Sequence, residues 1–223
     1  MRQQNSMTSF GERKLLARKI VKKLKELFPN AKIVLKYKNN WELLVSVILS
    51  AQCTDKKVNE VTKKLFHKYR TLDDYIKVSQ IGFEQDIKPT GFFRNKAKNI
   101  LVAAKMIKEK FGGKIPRTMP EMLQLPGVAR KTANVVLGNA YGVVDGIAVD
   151  THVMRLAQKF ELTSYKDPVK IERDLMDLVP KKDWFFLTYG LIEYGRHICK
   201  RRKHACKDHP LTKLHPKTAD IWP

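Results

Sequence analysis

Apolar residues recur at helical spacing along most of the chain. Between residues 16 and 28 they form a stripe at intervals of three and four, which Pro29 stops. From Trp41 to Gln52 the chain is apolar on nearly all sides, which predicts a helix at the centre of a core. Further helices are predicted over 58–69, 97–111 (ended by Gly112-Gly113), 120–125, 129–140, 150–160, 168–179 and 183–198. No sustained alternation of polar and apolar residues predicts a strand, so the predicted fold class is all-α.

Two features suggest how these helices are organised. The segment from Gly142 to Gly146 is a plausible crossing between two helical lobes. Residues 1–9 are polar and lack the apolar stretch of a signal peptide, so we expect a disordered or loosely ordered N-terminus.

The charge balance indicates a polyanionic partner. Lys and Arg number 44 against 22 Asp and Glu, a formal net charge of +22. Nucleic acid is the most common partner of such chains, and an anionic membrane surface is the alternative. No lipid-anchor motif or apolar run of about 18 residues supports the membrane. Three cysteines are too few for a disulfide framework, so we expect a cytoplasmic, nucleoid-associated protein of prokaryotic type.

The string Leu-Pro-Gly-Val-Ala-Arg-Lys-Thr-Ala, residues 125–133, predicts a tight turn that opens a helix. Gly127 supplies the unrestricted backbone of the turn. Backbone N–H groups at a helix start form a phosphate site, so Gly127, Ala129 and Arg130 are candidate DNA contacts.

An amine and a carboxylate accompany this turn. Lys131 falls in the first helical turn, where the helix dipole disfavours a cation and favours the nucleophilic free amine. Asp150 follows nineteen residues later. The alternative readings are that Lys131 is one more solvated lysine and that Asp150 is simply an N-cap.

Taken together, these strings resemble the helix-hairpin-helix DNA glycosylases, and among them the endonuclease III family, over residues 10 to 216. The resemblance implies two lobes with DNA in a cleft between them, Lys131 on one wall and Asp150 on the other. One lobe is a six-helix barrel over 33–144 that carries the helix-hairpin-helix motif, and the second combines 10–32 with 145–223. Where this chain has Ala129, the family usually has a second glycine.

The function that the resemblance implies is a bifunctional DNA glycosylase and AP lyase of base excision repair. Lys131 would attack C1′ of a damaged nucleotide and Asp150 would stabilise the developing positive charge. An oxidised pyrimidine in duplex DNA is the expected substrate, and a monomer the expected state. The alternatives are a mismatch-specific thymine or uracil glycosylase on the same fold, and a non-catalytic helix-hairpin-helix DNA-binding protein.

Two further strings resemble the family loops that enter the duplex when a nucleotide is extruded. Residues 49–55 carry Gln52, whose amide could face the orphaned base. Residues 91–96 carry the candidate wedge Phe92, with Arg94 and Lys96 as further DNA contacts. The alternative is that Phe92 only packs at the start of the next helix.

The family typically ends in a [4Fe–4S] loop with four cysteines. Here Cys199 and Cys206 keep the first spacing, while His209 and His215 hold the third and fourth places. Because such a cluster normally needs four thiolates, we expect none. We expect the loop to fold without a metal or other cofactor, and a zinc site of these four residues is the alternative. The basic residues 200–204 inside the loop are expected to contact phosphates.

Overall fold

The computed structural model describes residues 9–222 and confirms the all-α prediction, since those residues contain no β-strand. The α-helices are α1 (Phe10–Leu27), α2 (Asn40–Leu49), α3 (Asp55–Lys68), α4 (Leu72–Lys77), α5 (Gln80–Ile87), α6 (Phe93–Lys110), α7 (Met119–Met122), α8 (Arg130–Tyr141), α9 (Thr151–Lys159), α10 (Pro168–Leu178), α11 (Trp184–His197) and α12 (Pro210–Leu214). Short 3₁₀ turns cover Lys88–Thr90, Lys181–Asp183 and Pro216–Thr218. The expectation of a loosely ordered N-terminus lies outside the described residues except at Ser9, which caps α1.

The helices differ from the predicted ones in two ways. Helix α2 ends at Leu49, so Gln52 lies in the following turn and not at the helix end. Helices α4, α5 and α12 were not predicted. Each has eight residues or fewer, which is too short for an apolar stripe to repeat.

The chain divides into two compact units. The first, Ile33–Asp145, contains α2 to α8 and is called the hairpin unit here. Helix α2 lies at its centre and contacts α3, α6 and α8. Its side chains Leu43, Leu44 and Leu49 are fully buried. This position explains why α2 is apolar on nearly every side.

The second unit, Met1–Lys32 with Gly146–Pro223, contains α1 and α9 to α12 and is called the terminal unit. Helix α1 contacts α10, α11 and α12, and α9 contacts α10 and α11. Lys159 is fully buried in this unit, where its ammonium donates to the carbonyls of Thr218 and Ile221 and lies 4.3 Å from the centre of the Trp222 ring. Within residues 9–222, no helix is both long and apolar enough to span a membrane.

Candidate functional site

The turn between α7 and α8 is closed by its own backbone. The N–H of Val128 donates to the carbonyl of Leu125 at 3.1 Å, and Gly127 between them has φ +76°. A β-carbon on Gly127 would lie 2.8 Å from Nδ2 of Asn99, on α6. Glycine is therefore required here both for its backbone conformation and for the space that Asn99 occupies.

Helix α8 starts without a side-chain cap. Its N-cap residue is Ala129, which has no group that accepts a hydrogen bond, whereas the Thr118 side chain caps the preceding helix α7. The first N–H groups of a helix have no partner within the helix. The start of α8 can therefore accept an anion from outside.

Lys131 is the second residue of α8 and its side chain is exposed. It forms no ion pair or hydrogen bond with the side chains of residues 9–222. Its neighbour Arg130 is half-buried. The amine of Lys131 is thus sterically available to a ligand bound at the helix start.

Asp150 is the N-cap of α9 and is half-buried. Its Oδ1 accepts hydrogen bonds from the N–H groups of His152 and Val153, both at 2.8 Å. Its other oxygen, Oδ2, has no hydrogen bond within residues 9–222. Asp150 therefore caps α9, as one of the two interpretations of the sequence predicts. Its second carboxylate oxygen remains available to a ligand.

The backbone is left-handed at Gln52 and at the candidate wedge Phe92. Among the described residues only three that are not glycine have positive φ: Gln52 at +52°, Phe92 at +47° and Glu161 at +54°. Such backbone conformations are unfavourable and concentrate at functional sites. The Gln52 side chain is exposed, and Phe92 is 64% exposed.

The residues after Phe92 take different positions. Phe93 is half-buried and packs against the core of the hairpin unit. The side chain that packs at the start of α6 is therefore Phe93 and not Phe92. Arg94 is exposed, and its guanidinium carbon lies 5.5 Å from the centre of the Phe93 ring.

Lys96 is not placed to contact DNA, contrary to the prediction. Its side chain is only 5% exposed, and its Nζ donates to the carbonyls of Leu49 and Thr90, both at 2.8 Å. Burial lowers the pKa of this amine. Leu49 is the last residue of α2 before the Gln52 turn, and Thr90 directly precedes the Gly91–Phe92 turn. Lys96 therefore connects the two loops from inside the unit.

Comparison with known proteins places these features in a family. Residues 45–181 match the HhH-GPD superfamily of base excision DNA repair proteins. Endonuclease III of Synechocystis is 47% identical over 94% of this chain and 96% of its own length. The chain belongs to the endonuclease III family. Endonuclease III of Bacillus subtilis is 48% identical over 86% of this chain and 88% of its own length.

Solved structures of endonuclease III have the same fold as this chain. An endonuclease III in a non-covalent complex with DNA superposes with a TM-score of 0.86 at 44% identity, covering 90% of this chain and 94% of the other. A trapped covalent intermediate of endonuclease III with DNA gives the same values. A thermostable thymine-DNA glycosylase, 24% identical with a TM-score of 0.76, shares the fold.

This member of the endonuclease III family has a second group of reactive side chains, in the terminal unit. Cys199, His204, Cys206 and His209 bring their ligand atoms within 4.8 Å of one another. Such a group could hold a metal ion, so the expectation of a loop that folds without metal is not supported. His215 lies outside the group, because its Nε2 is 2.8 Å from Oε2 of Glu161.

In this endonuclease III relative, the sequence did not predict the position of three residues that form or support the two candidate sites. His204 was interpreted as a basic residue of the loop, although its place two residues before Cys206 was a usable signal. Asn99 and the inward direction of Lys96 had no such signal, since both depend on which residues lie beside α6 in the folded unit.

Proposed function

We propose that the chain is a bifunctional DNA glycosylase and AP lyase that removes oxidised pyrimidines from duplex DNA, with Lys131 as the nucleophile. The observation that carries the proposal is the exposed amine in the first turn of a helix whose start has no side-chain cap. A phosphate of the DNA backbone bound at Ala129 and Arg130 would bring a deoxyribose to this amine. The relative trapped in a covalent intermediate with DNA supports covalent chemistry.

The reaction requires Lys131 with a free electron pair. Its Nζ attacks C1′, and the C1′–N bond breaks. The base leaves with the electron pair of that broken bond and takes up a proton. Opening of the sugar ring gives a Schiff base. Loss of a C2′ proton then expels the 3′ phosphate and cleaves the strand by β-elimination, and water hydrolyses the imine to restore the lysine.

Asp150 has the role of the carboxylate in this scheme. Its Oδ1 is held by α9, which fixes the orientation of the group, while Oδ2 can accept a proton or face positive charge. A negative charge near C1′ stabilises the positive charge that develops as the base departs. The same oxygen can take the proton that Lys131 loses when it attacks.

Gln52 and Phe92 are proposed to fill the space left by the extruded nucleotide. Extrusion costs a few kcal/mol of stacking and pairing. An exposed aromatic ring on a left-handed residue can insert between bases, and the two-sided amide of Gln52 can hydrogen-bond the unpaired partner base.

Borohydride trapping tests the proposal. The protein is incubated with DNA that contains an abasic site, and covalent adduct is measured for wild type, Lys131→Ala and the control Lys110→Ala. Lys110 is an exposed lysine at the opposite end of α6 from Phe92, so its loss removes the same charge elsewhere. Adduct with wild type and Lys110→Ala but not with Lys131→Ala is expected. Equal adduct in all three proteins, or none in any, contradicts the mechanism.

Substrate choice is tested separately with duplexes that carry thymine glycol, a T·G mismatch or a U·G mismatch. Preferential release of thymine glycol is expected. Preferential release of thymine or uracil supports the mismatch-specific alternative, and binding without release of any base supports the non-catalytic one.

A further inference from the structure

We infer that the loop after α11 binds one Zn²⁺ through Cys199, His204, Cys206 and His209. These four residues bring two sulfur and two imidazole ligand atoms within 4.8 Å of one another. Zn²⁺ in structural sites is bound tetrahedrally by such Cys₂His₂ sets at about 2.0–2.3 Å, which places ligand atoms roughly 3.5 Å apart. No pair of ligand atoms therefore needs to move closer by more than about 1.3 Å when the ion binds.

Two imidazole nitrogens in this group are buried without a partner. Nε2 of His204 and Nδ1 of His209 have no hydrogen bond within residues 9–222. Buried polar atoms of native proteins are nearly always satisfied. A metal ion between the two rings, whose centres are 5.0 Å apart, would satisfy both nitrogens at once.

The tautomer of His204 fits this role. Its Nδ1 lies 2.6 Å from the carbonyl oxygen of Arg202. A carbonyl only accepts hydrogen bonds, so Nδ1 is the donor, and Nε2 of the neutral ring is the atom that can bind a metal ion. A hydrogen bond from the other ring nitrogen to a carbonyl is typical of metal-bound histidine, whose ring it orients.

The two sulfur atoms also have suitable surroundings. Both cysteines are buried. The guanidinium of Arg155, on α9, places Nη1 3.7 Å from Cys199 Sγ and donates from Nη2 to the Cys199 carbonyl. Cys206 Sγ lies 3.5 Å from the hydroxyl of Thr212 on α12. These contacts hold the two cysteines in position beside the two histidine rings.

The same donors do not fit the [4Fe–4S] cluster that the family typically carries. Such a cluster is held by four thiolates, and this group offers two thiolates and two imidazoles. His215, at the family's fourth cysteine position, is engaged with Glu161. A set of two sulfur and two nitrogen ligands favours zinc instead.

Metal content of the full-length protein is the first test. Protein is produced in medium that contains both zinc and iron, purified without chelators or an affinity tag that binds metal, and measured by mass spectrometry of its metals. We expect about one zinc per chain, iron at trace level and no visible absorbance. Stoichiometric iron with visible absorbance overturns the inference.

Two matched variants identify the ligands. After removal of the metal, Co²⁺ is titrated into wild type, His204→Ala and His215→Ala, and the visible spectrum of tetrahedral cobalt–thiolate is followed. We expect His215→Ala to bind like wild type. His204→Ala should lose more than about 100-fold in affinity, because even a residue that only orients a ligand is worth about 10- to 100-fold.

Two other outcomes contradict the assignment. Absence of the cobalt–thiolate spectrum in the wild type excludes a metal site of this type. Loss of binding in His215→Ala with normal binding in His204→Ala shows that the ligand set follows the spacing of the family cysteines instead. Far-ultraviolet circular dichroism of all three proteins establishes that a lost spectrum does not reflect unfolding.

Discussion

Two lysines of the hairpin unit, Lys131 and Lys96, have opposite surroundings. Lys131 is exposed on the first turn of α8 and has no hydrogen bond to another residue within 9–222. Lys96 is buried, and its amine is committed to two backbone carbonyls. An amine that donates hydrogen bonds within the fold is not available to attack a substrate. The hydrogen bonds of each lysine therefore distinguish a structural lysine from a candidate nucleophile. Asp150 is intermediate, with one oxygen in a helix cap and one available.

The largest effect is expected from Lys131→Arg. Arginine keeps the positive charge but has no nucleophilic amine at neutral pH. Strand cleavage at an abasic site should fall by at least about a thousandfold, as is typical when a nucleophile is removed. DNA affinity, measured by fluorescence anisotropy, should stay within about threefold, since the charge persists. Cleavage near the wild-type rate would show that another group, not this exposed amine, is the nucleophile.

Asp150→Asn is expected to separate the two roles of Asp150. Asparagine is an equally good N-cap, so the free energy of unfolding should change by only a few tenths of a kcal/mol. The rate of base release should fall by about 10²- to 10⁴-fold if the charge is needed for proton transfer. Asp150→Ala, as the comparison, should lose about 0.5–2 kcal/mol of stability as well. Equal rates for Asp150→Asn and wild type would limit this residue to capping.

Lys96→Met is expected to destabilise the protein. Methionine fills the space but leaves the carbonyls of Leu49 and Thr90 without their donor, which costs about 1–3 kcal/mol. Thermal unfolding should shift down by about 2–4 °C for each kcal/mol. The control is Lys98→Met, because Lys98 is exposed two residues away on the same helix. If the two variants melt at the same temperature, Lys96 does not hold the loops.

The smallest effect is the difference between two glycine variants. Gly127→Ala and Gly112→Ala both place alanine at positive φ, but only Gly127 has a neighbour, Asn99, within 4 Å. Positive φ costs each variant about 1 kcal/mol, and the contact with Asn99 should cost Gly127→Ala about 1 kcal/mol more. Chemical denaturation of both variants measures this difference. Equal losses would mean that Asn99 moves aside and does not support the turn before Lys131.

The sequence predicted the helices wherever burial on one face imposes a regular stripe. The stripe of α1 and the continuous apolar run of α2 are examples, since each reports its packing directly. Helices α4 and α5 have six and eight residues, and their formation depends on packing against α6. That packing is not visible in a short segment of sequence.

The candidate site was predictable where chemistry follows from local order along the chain. The Gly127 turn, the exposed Lys131 and the cap at Asp150 all lie within a few residues of the helix starts that define them. Lys96 and His204 are different. Lys96 donates to a carbonyl 47 residues away in the chain, and the neighbours of His204 depend on how its loop folds. Forty-four basic residues in one chain also make it hard to recognise the few that point inward.

The link through Lys96 has a mechanical consequence. One ammonium joins the backbone just before Gln52 to the backbone just before Phe92. If either loop moved alone, the buried ammonium of Lys96 would lose one of its two hydrogen bonds to backbone carbonyls. Such a loss is costly for a charge inside a protein. The proposed entry of the Gln52 and Phe92 loops into a duplex should therefore be one concerted movement of both loops.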